Sequence, residues 1–362
     1  MVMHDRGADD VSVLIVDDSP FMRTVIGDIL ESAGMEVVAE AADGAEAVQL
    51  VESHRPDVVT MDIEMDGMNG LEAVERIMAR CPTPIVMLSA HAADDAAVTF
   101  EALERGAVDF IAKPGGEVSA QLTAQESEIV ATVRSVATAD VSTDAPPGDG
   151  SSRDTRARKV PSDPALERPV TVVIGASTGG PSVVESMLRD LPARTDIRVL
   201  IAQHMPEPFT SRFANRLNET TEFTVFEGDD GLRIGRGEAV VAPGDADMAV
   251  QAYSNGRLRL TLDCEATHGQ FTPSVDHVMQ TAAEHVEDVL IGVILTGMGD
   301  DGVVGIREIS RAGGRTYAQN EDTSAVFGMP KRAIESGAVD VVASDRSLPA
   351  TIVADIEGVT AQ

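Results

Sequence analysis

The sequence predicts an α/β protein of two domains, each a parallel sheet covered on both faces by helices. Three observations predict it. Short apolar runs rich in Val and Ile alternate with amphipathic stretches along most of the chain. That alternation stops once, at a polar segment, and then restarts. Aromatic residues make up only 3% of the chain and Trp is absent, so the cores must be Val, Ile, Leu, Ala and Met, the composition of buried parallel strands. At 362 residues the chain is also too long for one ordinary core and suits two or three.

The first series of predicted strands is VSVLIVDD (11–18), MEVVAEA (35–41), DVVTMD (57–62), PIVMLSA (84–90) and VDFIAKP (108–114). Between them lie helical patterns such as MRTVIGDILESAG and GLEAVERIMARC, and 117–137 reads as a closing helix. A first domain therefore occupies 11–137. Residues 138–168 are rich in Pro, Gly, Ser and charge without apolar period, which predicts a flexible linker. Its basic cluster, Arg153, Arg156, Arg158 and Lys159, reads as part of a solvated tether. From 169 the strands resume with PVTVVIGAS, IRVLIAQHM, VFEGD and EAVVAP, followed by a hairpin on the Ser-Asn-Gly turn at 254–256. The helix TPSVDHVMQTAAEHV, the strand VLIGVILTG and a last αβ section complete a second domain over 169–358.

Charge narrows the partners. The chain holds 28 basic against 60 acidic residues, a net −32, and its only lysines are Lys113, Lys159 and Lys331. Nucleic acid needs a basic footprint and anionic lipid repels such a surface, so neither is expected as a partner. The acidity is spread along the whole sequence rather than confined to the linker, which fits a protein adapted to a salt-rich cytosol. Cys81 and Cys264 fall in different domains, so reduced thiols are expected rather than a disulfide. The N-terminal MVMHDRGADD lacks a signal-peptide core, and no apolar run reaches the roughly 18 residues of a membrane span; a cytoplasmic protein without membrane insertion is expected.

In an open parallel sheet, chemistry collects at the carboxyl ends of the strands. In the first domain those ends carry Asp17 and Asp18, then Asp62, Ser89 and Lys113. Three carboxylates in one crevice repel one another and call for a cation; oxygen-only ligands beside a phosphate point to Mg²⁺. Lys113 supplies a point charge for a phosphoryl oxygen and Ser89 a hydroxyl, which leaves Asp62 as nucleophile for an acyl phosphate. A single aspartate at a strand end could merely cap a helix; four of five strand ends bearing suitable groups cannot be read that way.

In the second domain Gly175-Ala176-Ser177-Thr178-Gly179 fits G-x-S-x-G between a strand and a helix. A serine there sits on a tight turn above the sheet, and the amides of Thr178, Gly179 and Gly180 are candidate oxyanion donors. A glycine-rich turn after a strand can also bind phosphate. The next strand ends in His204, alone among the seven histidines in following a strand end directly. VLIGVIL then brings Thr296-Gly-Met-Gly-Asp-Asp-Gly302 to the same rim, where either Asp300 or Asp301 could hold the imidazole tautomer. Met298 either lines that site, lends its amide, or fills space. Arg212 and Arg216, four apart, share one helix face and either guide an acidic helix to the rim or form a solvated face.

Asp-Asp-Ser at 17–19, Met-Asp at 61–62, Leu-Ser-Ala at 88–90 and Lys-Pro at 113–114 closely resemble a response-regulator receiver domain, a flavodoxin-like (βα)5 fold. The resemblance implies phosphotransfer from a histidine kinase to Asp62, with the Glu64 carbonyl completing the Mg²⁺ shell of Asp17, Asp18 and Asp62, and with Ser89 and Phe110 at the conformational switch positions. Asp66 stands where such domains usually have Pro. In the second domain GASTGG (175–180), QHM (203–205), PSVDH (273–277), LTGMGDDG (295–302) and AQNEDTSAVFGMP (318–330) resemble the CheB methylesterase family. That resemblance implies a doubly wound α/β catalytic domain, selects Asp301 over Asp300 as the triad acid, and places Asp247 where relatives commonly carry His. It implies hydrolysis of glutamate methyl esters and deamidation of certain glutamines on methyl-accepting chemoreceptors, with Mg²⁺ serving the receiver only. Phosphorylation would control the hydrolase by shifting an equilibrium between two states. The rival expectation is a non-catalytic response regulator with a binding output module.

The even spread of acidic charge, in the manner of a halophilic archaeal protein, carries its own test. Dialysis into low salt should abolish the far-ultraviolet circular dichroism of the native chain; a spectrum indifferent to salt would refute the adaptation.

Overall fold

The computed structural model describes residues 11–89, 95–113, 119–139, 141, 169–192, 197–264 and 271–360. Nearly all of the linker segment, with its basic cluster, lies outside them. The chain divides into two compact units, with the division at Gly148 and Asp149.

The first unit holds the five expected strands, β1 (Ser12–Val16), β2 (Glu36–Ala41), β3 (Val58–Asp62), β4 (Ile85–Ser89) and β5 (Asp109–Ala112). They pair in parallel in the order β2-β1-β3-β4-β5. Helices α1 (Pro20–Ser32), α2 (Gly44–His54), α3 (Gly70–Arg80), α4 (Asp95–Glu104) and α5 (Ser119–Val136) make the crossovers. Side-chain caps start three of them: Ser19 accepts from the Met22 amide, Asp43 from those of Ala45 and Glu46, and Asn69 from that of Glu72. The central β1, β3 and β4 are buried throughout, as their unbroken apolar runs require. The chain winds to β2 on one side of β1 and then to β3 on the other. That reversal opens a crevice between the carboxyl ends of β1 and β3.

The second unit opens with β6 (Val170–Ala176), α6 (Gly180–Asp190), β7 (Ile197–Gln203), α7 (Glu207–Thr220), β8 (Thr224–Glu227), β9 (Arg233–Ile234) and β10 (Glu238–Val241). The hairpin β11 (Asp247–Ser254) and β12 (Arg257–Asp263) follows, then α8 (Val275–His285), β13 (Val289–Ile294), α9 (Val303–Arg311) and β14 (Arg315–Gln319). A 3-10 turn at Glu321–Thr323, α10 (Met329–Glu335), β15 (Val341–Ala343) and α11 (Leu348–Thr360) complete it. Seven strands form one parallel sheet in the order β15-β14-β13-β6-β7-β10-β8, and β11, β12 and β9 form a small antiparallel sheet. Asn255 (φ 53°) and Gly256 (φ 74°) form the two left-handed corners of the hairpin turn. β6 is paired with β7 on one side and β13 on the other, so the order reverses beside β6.

The core of this unit joins Val173, Leu200, Val240 and Ile294 of the sheet to Val275 and Met279 of α8 and Ile306 of α9. Arg198 on β7 is fully buried, and its guanidinium donates to Thr171 Oγ1 (2.9 Å), to the Gly256 carbonyl (2.7 Å) and to Asp288 Oδ2 (2.6 Å). Tyr253 donates to the other oxygen of Asp288 at 2.9 Å. Each nitrogen of the guanidinium and each oxygen of the carboxylate therefore has a partner, as a buried pair requires. Cys81 is buried and Cys264 exposed, and both are free thiols. Among the described residues no helix is long and apolar enough to cross a membrane.

Candidate functional site

At the crevice of the first sheet, carboxylate oxygens of Asp17, Asp18 and Asp62 lie within 4.8 Å of one another. Asp17 and Asp62 are buried, and Lys113 Nζ reaches both, at 3.0 and 2.8 Å. Burial raises the Asp62 pKa from 3.8 to about 6, against the lowering effect of the Lys113 hydrogen bond and charge, with the Asp17 charge adding to the rise. Burial alone would lower the Lys113 pKa; hydrogen bonds to Asp62 and Asp17 reverse that and leave it raised. Three carboxylates this close, with one lysine shared between two of them, suit a small divalent cation with oxygen ligands. Asp18, Asp62, Glu64, Asp66 and Lys113 all line one cleft of about 660 Å³, wide enough for a hydrated ion and a phosphoryl group. Ser89 is fully buried and accepts from Thr99 Oγ1 at 3.2 Å, and Phe110 packs edge-to-face on Phe100 at 6.1 Å.

The second site is built where β6, β7 and β13 end. The Ser177 amide donates to the Thr296 carbonyl and the His204 amide to the Ala176 carbonyl, both at 3.0 Å, so the turns after the three strands are laced edge to edge. Gln203 strengthens the lacing: its side-chain amide donates to the carbonyls of Ser177 (2.8 Å) and His204 (3.0 Å). The backbones meet closely enough that a Cβ on Gly297 would stand 2.7 Å from Ser177 Cβ. Gly179, at φ 73°, makes the left-handed turn that starts α6 two residues after the serine.

His204 Nε2 lies 2.9 Å from Asp301 Oδ2, with both side chains 9% exposed. The Asp301 carboxylate also accepts from the first amides of α8, Val275 N at 2.8 Å and Asp276 N at 2.9 Å. Burial on its own would raise the Asp301 pKa; the His204 hydrogen bond and charge, with those two amides, hold it below the ordinary value. Phe271 stacks on the His204 ring at 4.9 Å between centroids. His204 Nδ1 is buried without a hydrogen-bond partner.

Sequence position and structure agree that Ser177, His204 and the Asp300-Asp301 pair share one rim, and the side chain that reaches His204 is that of Asp301; Asp300 is exposed. One expectation is corrected. The Gly180 amide is not open to an oxyanion, because it donates to the Ser177 carbonyl at 2.8 Å in the first turn of α6; Thr178 and Gly179 remain as candidates, with Met298 half-buried beside them in the facing loop. Arg216 is not a free guide for acidic helices either: Glu185 binds its Nε at 2.6 Å. Phe271 and the α8 amides have no local signature as site residues. The Pro-Ser-Val-Asp segment, with Ser274 capping α8, was the available signal for the amides. Asp247, fully buried, accepts from the Ser274 amide at 2.7 Å and so fixes the start of that helix.

A receiver sheet with an acidic phosphoacceptor crevice, linked to an α/β unit with a Ser-His-Asp rim, defines a class: a response regulator whose output is a hydrolase. Family comparison agrees, with the response regulator receiver domain matching residues 13–124 and the CheB methylesterase matching 172–352. A protein of Haloarcula marismortui named protein-glutamate methylesterase/protein-glutamine glutaminase is 53% identical over 92% of this chain and 95% of its own length. Proteins of the same name from Natronomonas pharaonis and Pyrococcus abyssi are 52% and 42% identical, over 92% and 96% of this chain and 94% of each relative. The chain belongs to the CheB methylesterase family.

The raised Asp62 pKa gives a sign that can be measured. An unfolded aspartate releases its proton near 3.8 and the folded one near 6, so between those values the folded state holds the extra proton and stability from this group falls as pH rises. A divalent cation competes with that proton. Mg²⁺ affinity should therefore weaken as pH drops below about 6, and saturating Mg²⁺ should move the Asp62 carboxyl titration, followed by carbon-13 NMR, to lower pH. An Asp62 titration unmoved by Mg²⁺ would remove this aspartate from the metal site.

Proposed function

We propose that this chain hydrolyses glutamate methyl esters, and deamidates particular glutamines, on methyl-accepting chemoreceptors, with Ser177 as nucleophile, His204 as base and Asp301 as the group that orients it. Phosphorylation of Asp62 by a chemotaxis histidine kinase, with Mg²⁺ held by Asp17, Asp18, Asp62 and the Glu64 carbonyl, controls the activity. The observation that carries the reading is the 2.9 Å contact between His204 Nε2 and Asp301 Oδ2 on the rim that also presents Ser177.

That contact sets the tautomer. With the proton on Nε2 donated to Asp301, the lone pair is on Nδ1, the buried nitrogen with no other partner. Nδ1 takes the proton of Ser177 Oγ as the oxygen attacks the ester carbonyl. The Thr178 and Gly179 amides, with that of Met298 in the facing loop, offset the charge that develops on the carbonyl oxygen. Nδ1 then returns the proton to the departing methoxy oxygen, releasing methanol and leaving a glutamyl-serine ester. Water, deprotonated by the same nitrogen, hydrolyses that ester to free glutamate and Ser177. A glutamine side chain passes through the same acyl-enzyme with ammonia leaving, so one set of groups serves both substrates. The Asp301 carboxylate, kept ionised by its amides and by His204, stabilises the imidazolium between steps.

Ser177→Ala should abolish methanol release from methylated receptor membranes assayed at high salt. Asp301→Asn should lower kcat by about 10⁴, the cost of holding the wrong tautomer in a triad of this kind. A dead Asp300→Asn beside an active Asp301→Asn would overturn the assignment, and methanol release by Ser177→Ala would overturn the mechanism.

A further inference from the structure

Beside the catalytic rim, α9 and α10 enclose a cleft of about 640 Å³ whose walls include Asp300, Arg307, Phe327, Lys331 and Arg332. One wall is the loop that carries Asp301, since Gly299 and Asp300 belong to both. Another wall includes Gly328, packed so tightly on that loop that a Cβ there would stand 2.7 Å from the Gly297 carbonyl and 3.1 Å from Met298 Cα. The cleft therefore adjoins the reacting groups through a single shared loop.

The cleft is rich in cations for so acidic a chain. In a chain of net −32 with three lysines, this cleft gathers Lys331, Arg307 and Arg332. Arg332 is paired with Glu335 at 3.2 Å. Arg307 and Lys331 are exposed and, among the described residues, form no hydrogen bond or ion pair. Several other arginines of this unit are answered by carboxylates: Arg216 and Arg189 by Glu185, Arg257 by Glu238, Arg315 by Asp340 and Asp355. Two unanswered cations facing one cavity, in a protein with carboxylates to spare, mark a place kept open for an external anion.

We propose that this cleft binds a free carboxylate of the substrate protein beside the ester under attack, with Arg307 and Lys331 as its partners. The proposal rests on the esterase reading above and names a specificity subsite for it. A protein with several esterifiable glutamates presents carboxylates next to each ester, because every completed hydrolysis makes one. On a helical substrate the neighbours three and four residues away stand about one turn, ~5.4 Å, along the axis. Contact inside a cleft is also the form of recognition that survives high salt. At about 1 M the screening length is ~3 Å, so scattered surface charges cease to steer while paired charges in contact persist.

Three helical peptides separate the possibilities, each with one glutamate γ-methyl ester, flanked at three and four residues on both sides by Glu in the first, by Gln in the second and by Lys in the third. At high salt the wild-type protein should show kcat/KM about tenfold higher for the Glu peptide, since charge-assisted contacts of this type are worth on the order of 1.5 kcal/mol. In Arg307→Gln/Lys331→Gln the ratio should fall toward one. Arg307→Glu/Lys331→Glu should reverse the order when the flanking residues are Lys, a gain that misfolding cannot imitate. A wild-type ratio of one, or a ratio retained by the double variant, overturns the subsite while leaving the esterase intact. Failure of wild-type protein to release methanol from any peptide or from methylated receptor would instead overturn the esterase reading.

Discussion

The catalytic unit depends on how a buried carboxylate is held. Asp301 sits at the end of a loop, not on a strand, and a loop carboxylate would not by itself keep an imidazole in register. The amino terminus of α8 supplies the hold: two free amides, at 2.8 and 2.9 Å, that no helical carbonyl can satisfy. Those amides are in turn placed by Ser274, which caps the helix, and by Asp247, which fixes the Ser274 backbone. The loop is tied back from its far side, because Asp276 accepts from the Gly305 amide at 2.7 Å and so joins the starts of α8 and α9. The position of His204 is a consequence of this hold as much as of its own strand.

The two sites show one residue type driven in opposite directions. Burial raises the pKa of both Asp62 and Asp301, and what differs is the neighbourhood that answers it. Around Asp62 there is one lysine shared with a second carboxylate, so burial and repulsion win and the group ionises near 6. Around Asp301 there are an imidazole and two helix-end amides, so the charged form wins. An aspartate left short of positive charge in this way suits the proposed role of accepting a cation and then a phosphoryl group. An aspartate that must hold a proton donor in place is already supplied with that charge.

Much of this was legible in the residue order, for a physical reason. Parallel sheets put strand ends on one edge, so the residue after each apolar run is a rim residue wherever the run is recognised. That logic placed Asp17, Asp62, Ser89 and Lys113 at one rim and Ser177 and His204 at another. It could not choose between Asp300 and Asp301, which are adjacent on a loop; only motif resemblance chose, and the distance to His204 is where the two differ. Phe271 and Arg198 were illegible because their partners, His204 and Asp288, are 67 and 90 residues away and no local period joins them. The Gly180 amide was misjudged because a helix start seen as sequence shows every early N–H as free, whereas the first turn here closes back on Ser177.

The substitution at position 247 gains a different meaning from the fold. Read as sequence, Asp247 in Ala-Pro-Gly-Asp-Ala-Asp-Met stands in a loop where relatives commonly carry His, and the natural inference concerns contacts with substrate. In the structure the side chain is fully buried and aimed at the Ser274 amide. It thus lies two steps behind Asp301, at the base of the helix end that holds the carboxylate. An oxygen acceptor at that point meets the backbone amide just before α8, where the helix end favours an acceptor. Asp247 therefore belongs to the support of the Asp301 carboxylate, and a change there would act on the orientation of His204 through Ser274 and the first turn of α8.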